Sequence, residues 1–526
     1  MVLLHDRLFA AAQARPDAPA LCYRGQILDY GQLARLVQDV AAGLQGLGLE
    51  RNQRVGVYLP KQFETVAGIY GAAAAGGVFV PLNPALKARQ VCYILRDCAV
   101  RVLITSPDRL AGLRERLADC PDLRAVVLTG ALPEDMLPAG YTLLTWDDFV
   151  AQGGAPPVRR IESDMAAIFY TSGSTGSPKG VVLSHHNMVV GAHSVSRYLE
   201  NRPEDRILAV QPLSFDYGFS QISTAFTVGA CAVLMNYLFP RDVIKLLEKE
   251  RITGLGCVPP LWIQLVEQDW PAAIGEHLRY VTNTGGKMPR PVLSRLRALL
   301  PQTRVYLMYG LTEAFRSTYL PPEEVDARPD SIGKAIPNAE VMVVCEDGTP
   351  CEPGEPGELV HRGPLVSLGY WNDAARTAER FKPAPGQPAG IPLPEMAVWS
   401  GDTVRQDEDG FLYFVARRDE MIKTSGFRVS PTEVEEVLYA SGEVGEAVAL
   451  GVADDKLGQA IIVLATAPEG RAALDEKAIL AYCRKEMPSY MVPRTIMARE
   501  AMPRNPNGKI DRKALAVSLN TAEGQP

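Results

Sequence analysis

Residues 170–180 read Tyr-Thr-Ser-Gly-Ser-Thr-Gly-Ser-Pro-Lys-Gly, with five aliphatic hydroxyls and three glycines in eleven positions. Glycine lets a backbone turn its N–H groups toward an anion, Ser and Thr hydroxyls add donors, and Lys179 adds a mobile point charge. A β-rich lead, Ala166–Tyr170, precedes the run, and Val181–Leu183 follows it. The spacing predicts a phosphate-binding loop between two strands rather than a flexible Ser/Gly surface turn. Its candidate phosphate contacts are Thr171, Ser172, Gly173, Ser174, Thr175, Gly176 and Lys179. The common P-loop pattern is missing, because Pro178 separates Ser177 from Lys179.

The loop lies within a βαβ rhythm. Short β-rich runs at Arg54–Tyr58, Gly77–Pro81, Val100–Thr105 and Ala125–Leu128 alternate with amphipathic segments such as Tyr30–Leu47 and Arg109–Leu117. That alternation predicts a parallel sheet with helices on both faces. A second round starts near Ala166. Glu340–Glu346, Gly357–His361 and Phe411–Val415 read as strands of a more irregular β section. After Arg417 the rhythm restarts. Thr432–Ala440 reads as a helix opened by Ser430 and Pro431, Val444–Val452 and Ala460–Ala467 read as strands, and Leu474–Met487 reads as a helix. The fold class expected is α/β. A large N-terminal domain of layered parallel sheets with helices and a β section spans 1–418, and a small mobile α+β domain spans 419–526.

Composition limits the partners. The 526 residues carry a formal net charge of −7, which gives no electrostatic footprint for nucleic acid. The longest apolar stretch, Val66–Leu82, is broken by Gly68, Gly71, Gly76 and Gly77. It predicts a buried helix followed by a strand, not a membrane span. Nine scattered cysteines form no CxxC pair and no zinc-ligand spacing, so they predict reduced structural thiols. With no apolar h-region in the first twenty residues, a cytoplasmic location is the expectation.

The segment YTSGSTGSPKGVVLSHHN resembles the signature of the adenylate-forming superfamily. That superfamily includes acyl-CoA synthetases, adenylation domains of nonribosomal peptide synthetases and luciferases. Five further runs resemble its motifs in order: GAAAAGGVFVPLNP (71–84), YGLTEA (309–314), WSGD (399–402), RRDEMIKTSGFRVSPTEVE (417–435) and PRNPNGKIDR (503–512). The likeness covers almost the whole chain. It implies a ligase that activates a carboxylic acid with ATP and Mg²⁺, releasing pyrophosphate. The acyl group then passes to a thiol, either coenzyme A or the phosphopantetheine arm of a carrier protein.

The resemblance gives roles to residues whose chemistry suits them. Thr312 would bond the α-phosphate and Glu313 would hold Mg²⁺, a cation that prefers hard oxygen ligands. Tyr309 would lie near the adenine, with the Gly285-Gly286 pair packing on it and on the substrate's carboxylate end. Asp402, assisted by Arg417, would bind ribose. Lys509, at the exit of the turn Asn505-Pro506-Asn507-Gly508, reads as exposed and mobile. It would bridge the attacking carboxylate and the triphosphate, two anions that otherwise repel. Asp419 would be the hinge for a swing between half-reactions, which brings Lys423, Thr424, Ser425 and Gly426 to line the thiol tunnel.

Phe215 and Asp216, with Gly285 and Gly310, mark the substrate pocket. Many acyl-CoA synthetases carry Phe-His at the first pair of positions, whereas amino-acid-activating domains carry Phe-Asp. A buried acid wants a cationic partner, and an amine-bearing substrate would supply one; alternatively Asp216 caps a helix or points away. The stretch 308–338 resembles exosortase-associated acyl-CoA ligases and also stand-alone ligases that load an amino acid such as proline onto a carrier protein. No carrier or condensation domain fits in the chain, so any carrier is a separate protein. Two other classes share the signature. A luciferase-like oxygenase would oxidise the adenylate, and a non-catalytic nucleotide-binding homologue would have lost Glu313 or Lys509.

Overall fold

In the computed structural model, residues 3–132, 140–151, 153–171, 178–388, 390–417, 420–424, 427–454, 457–487, 489–506 and 508–522 are described. The apolar run near residue 70 is a helix, Phe63–Ala74, followed by the strand Val78–Pro81. Every residue of that helix from Thr65 onward is buried. Its small residues bring it against the helix Tyr30–Gly46. A Cβ on Gly71 would sit 2.3 Å from Val40 Cγ1, inside any tolerable contact. Among the described residues no helix is long and apolar enough to cross a membrane.

Three sheets organise the described residues. In the first, Thr142–Thr145, Ala125–Leu128, Val100–Thr105, Arg54–Tyr58, Val78–Pro81 and Met165–Thr171 lie parallel in that order. Lys179–Ser184 then returns antiparallel beside Met165–Thr171, so the Gly- and Ser-rich run links two paired strands. In the second, Cys231–Leu234, Arg206–Ala209, Gly254–Cys257, Tyr280–Asn283 and Arg304–Tyr309 are parallel neighbours. That sheet continues antiparallel through Thr318–Leu320 and Ser331–Ala335 into the β section, where Leu412–Arg417 pairs with Met396–Gln406. The Pro-rich stretch after Pro383 joins Phe381–Pro383 to Met396–Gln406, two paired strands of this same sheet. A third, separate sheet of Phe427–Val429, Ile422–Thr424, Gly458–Ala465, Ala447–Asp454 and Thr495–Ala498 builds the small C-terminal α+β domain. The helices Pro431–Ala440 and Glu476–Glu486 share an apolar core with it.

Two local expectations need correction. The segment Arg109–Leu117 is not one helix: the helix Pro107–Leu113 tightens into a 3-10 turn, Arg114–Asp119, which keeps Leu110, Leu113 and Leu117 all buried. Nor are all the cysteines free. Cys345 and Cys351 are joined as a disulfide with Cα atoms 5.3 Å apart. The chain doubles back between them, Cys345 N–H donating to Thr349 and Cys351 N–H to Val343. The sequence shows six positions of separation, not the turn that closes them. The other seven cysteines are buried thiols.

Candidate active site

In open α/β sheets, ligands gather at the carboxyl ends of the strands. Four candidate segments leave such ends here: the phosphate loop after Thr171, the run to Phe215 after Ala209, the Gly285-Gly286 loop after Asn283, and Gly310–Glu313 after Tyr309. Sheet topology thus gathers residues that are far apart in sequence.

At one corner, Tyr309 Oη donates to Asp402 Oδ2 at 2.5 Å. Asp402 and Arg417 are cross-strand partners, with Arg417 Nε 3.6 Å from Asp402 Oδ1. Burial raises the Asp402 carboxyl above its ordinary value, against the pull of Arg417 and the Tyr309 hydroxyl. An acid held this way, beside an arginine left largely exposed, suits hydroxyl donors such as those of a ribose.

A second corner is anionic and cationic at once. Lys179 Nζ lies 2.7 Å from Glu313 Oε1. Tyr370 Oη donates to the same oxygen at 2.6 Å and accepts from Lys179 at 2.8 Å. The ammonium also sits over the Tyr370 ring, 4.4 Å from its centre. Burial alone would raise the Glu313 carboxyl; Lys179 and Tyr370 outweigh it, and the group is held below the ordinary glutamate value. Thr312, next to it, is buried and starts a 3-10 turn rather than capping a helix. The Thr171 hydroxyl at the mouth of the phosphate loop is buried with no partner among the described residues. An ionised carboxylate beside a hydroxyl is a donor set that fits Mg²⁺, and an orphaned hydroxyl fits a phosphate oxygen. Sequence reasoning missed Tyr370; its only trace there is a Gly369-Tyr370 pair just past the β section's start, with no motif attached.

The third element comes from the small domain. Gly508 takes φ +81°, Asn505 Oδ1 accepts from Lys509 N–H at 3.0 Å, and the turn delivers the Lys509 side chain into the large domain. Its Nζ stands 5.0 Å from the centre of the Phe215 ring. Lys509 is therefore not the exposed side chain its turn suggested. Removal from water pushes the ammonium down to about 8, with Asp216 resisting that shift. Gly285 takes φ +83°, a backbone that favours glycine, and lies against the end of this side chain, where a Cβ would stand 2.7 Å from Lys509 Cε. Asn83, in the run 71–84, donates to the carbonyl of Pro506 and steadies the same turn.

Asp216 opens the helix Asp216–Val228 and is buried. The sequence argument asked for a cation from the substrate, but the structure supplies one from the chain: Arg316 Nη1 lies 3.5 Å from Asp216 Oδ2, both side chains almost fully enclosed. Burial raises the Asp216 carboxyl, with Arg316 and Lys509 opposing. Gly310 lets the loop fold back; a Cβ there would meet Arg316 Cα at 3.1 Å. Ser172–Gly176, Asp419, Ser425 and Gly426, together with the Lys423 side chain, lie outside the described residues. Thr424 is buried in the strand Ile422–Thr424.

Comparison with known proteins gives these positions a family. Residues 8–371 match the family described as AMP-binding enzyme, and residues 433–509 match the AMP-binding enzyme C-terminal domain. The chain belongs to the AMP-binding enzyme family. Among curated relatives of this AMP-binding enzyme are L-proline--[L-prolyl-carrier protein] ligases. The one from Pseudomonas fluorescens is 32% identical over 98% of this chain and 99% of its own length, and that of Streptomyces coelicolor 33% identical over 95% and 93%. Gramicidin S synthase 2 of Brevibacillus brevis is 31% identical over 95% of the chain, which spans only 11% of that synthase's length. Among solved structures, the anthranilate CoA ligase AuaEII with anthranoyl-AMP superposes with TM-score 0.88 at 24% identity, covering 99% and 98% of the two chains. ATP-bound MatB from Rhodopseudomonas palustris superposes with TM-score 0.86 at 23% identity, and its apo form with 0.75, each pair covered to 99%. At these identities the likeness is one of fold.

Proposed function

We propose that this AMP-binding enzyme is an acid–thiol ligase working in two steps. In the first, a carboxylate oxygen attacks the α-phosphorus of ATP, a new P–O bond forms, and the bond to pyrophosphate breaks. In the second, a thiol sulfur attacks the acyl carbon, AMP leaves, and the thiol proton passes to solvent. The observation that carries this reading is the seat of Lys509, whose ammonium enters the cleft between Gly285 and Phe215. A cation there stands where the incoming carboxylate and the triphosphate must approach each other.

Tyr309 and the Gly285-Gly286 loop would flank the adenine, Asp402 and Arg417 the ribose, and Thr171, Lys179 and Thr312 the phosphates. Glu313 would hold Mg²⁺, which supplies charge neutralisation for the triphosphate. The seating of Lys509 supports reading this arrangement as that of the first half-reaction, and the closer superposition on ATP-bound than on apo MatB agrees. The division at 418/419 is the boundary we assign, with Asp419 as hinge and the strand bearing Lys423 as the face presented to the thiol after a swing.

The acceptor is a phosphopantetheine thiol. The relatives of matching length favour a separate carrier protein over coenzyme A, and a cytoplasmic setting without nucleic-acid partners is consistent with both. The test is acid-dependent ATP–pyrophosphate exchange, followed by thioester formation on coenzyme A and on a phosphopantetheinylated carrier. Exchange without thioester on either thiol would remove the second step; no exchange with any acid would remove the ligase reading.

A further inference from the structure

Arg316 is a buried cation beside the site whose hydrogen-bonding capacity is only partly met. Its Nη1 donates to the carbonyl of Phe315 at 3.1 Å and faces Asp216 at 3.5 Å. Its Nε and Nη2 have no partner among the described residues. Those two nitrogens form one edge of the guanidinium, with parallel N–H bonds spaced for the two oxygens of a carboxylate. This protein uses that edge so elsewhere. Arg279 gives Nε and Nη2 to the two oxygens of Asp205 at 2.9 and 2.6 Å, and Arg290 gives the same pair to Asp330.

Arg316 also lines a small cavity. Its polar lining includes Tyr217, Ser220, Thr224 and Thr282 beside Arg316, set among the apolar Val195, Leu199, Ile207 and Met308. Arg316 reaches it through an unusual backbone. Phe315, the residue before Arg316, is a buried non-glycine at φ +54°, a strained conformation for a residue that bears a side chain. Gly191 makes room for the displaced ring, since a Cβ there would lie 2.3 Å from Phe315 Cδ1. A buried guanidinium with one edge unpaired is itself costly.

Building on the ligase reading above, we infer that Arg316 is a specificity-determining residue of the acyl pocket. Its Nε/Nη2 edge receives a second carboxylate of the substrate, so the acid activated here carries two carboxylates, one adenylated and one held by Arg316. Both plain dicarboxylic acids and acidic amino acids present that group. Asp216 Oδ1, also unpartnered among the described residues, would accept from the amine of the latter.

The experiment is ATP–pyrophosphate exchange on chain-matched pairs: butyrate against succinate, 2-aminobutyrate against aspartate, norvaline against glutamate. The wild-type enzyme should prefer the second member of at least one pair by on the order of 10²–10⁴ in kcat/KM. Arg316→Met should bring that ratio to about one or below. Preference for succinate alone identifies a plain dicarboxylate; preference for aspartate or glutamate identifies an amino acid held also by Asp216. Arg316→Met leaves Asp216 without its cation, so the double variant Arg316→Met/Asp216→Asn, which removes the charges together, is measured alongside with its thermal melt. A wild-type preference for the monocarboxylates, or a ratio unmoved in a folded variant, overturns the inference and leaves the ligase reading standing. Silence with all six acids overturns the inference, while the ligase reading falls only if no acid of any kind supports exchange.

Discussion

Lys179 and Glu313 are 134 positions apart, and their side chains meet at 2.7 Å with the Tyr370 hydroxyl bonded to both. The pairing fixes a carboxylate in its ionised form at the edge of the phosphate loop. Glu313→Gln keeps the shape and removes the charge. Adenylation should fall by about 10²-fold or more, and the magnesium concentration for half-maximal exchange should rise. Tyr370→Phe keeps the ring under Lys179 and removes the hydroxyl, so a loss of roughly tenfold is expected, the worth of one hydrogen bond to a charged group. Magnesium titrations of pyrophosphate exchange for both variants check this.

Lys509→Ala should separate the two half-reactions. Adenylate formation should fall by about 10²–10³-fold, the usual cost of losing one preorganised charge partner. Transfer from a supplied acyl adenylate to the thiol should stay within a few-fold of wild type. Single-turnover assays of each step decide it, and equal loss in both would contradict the role.

The same lysine sets a pH dependence. Its ammonium is pushed down to about 8, so the cation is present below that pH and lost above it. Adenylation needs the cation. kcat/KM for ATP, which reports the free enzyme, should therefore fall as pH rises through about 8, approaching tenfold per pH unit. Lys509→Arg, charged throughout, should flatten the alkaline limb even where its absolute rate is low.

Tyr309→Phe removes the 2.5 Å bond to Asp402 and leaves that buried acid with Arg417 as its charge partner. KM for ATP should rise by about 10-fold with a smaller change in kcat, because the contact orients a binding group and not a reacting one. Initial-rate kinetics over an ATP series measure the split.

Gly218 tests the packing under the pocket. A Cβ there would lie 2.0 Å from the carbonyl oxygen of Pro212, and backbone must move to admit it. Gly218→Ala should cost about 1–3 kcal/mol by overpacking and displace the start of the helix that carries Asp216. Chemical denaturation should show the loss; an unchanged midpoint with normal exchange would mean that the turn 211–215 yields freely.

Much of this protein was legible from residue order alone, for physical reasons. Alternating β-rich and amphipathic runs specify parallel layers, and a Gly-rich apolar helix specifies burial. The strands at 54, 100 and 125 start and stop where the pattern changes. What tertiary structure alone decided is who meets whom. Local sequence made Lys509 look solvated, because a turn of Asn, Pro and Gly is solvated by itself. Only its seating against a glycine from another domain takes water away. Local sequence likewise made Asp216 an acid in need of a substrate amine. Arg316, far along the chain and behind a strained Phe315, supplies the cation instead, and the edge it leaves unpaired is a property of the folded pocket. Charge pairing and desolvation depend on distance through space, and no reading of neighbours along the chain contains that distance.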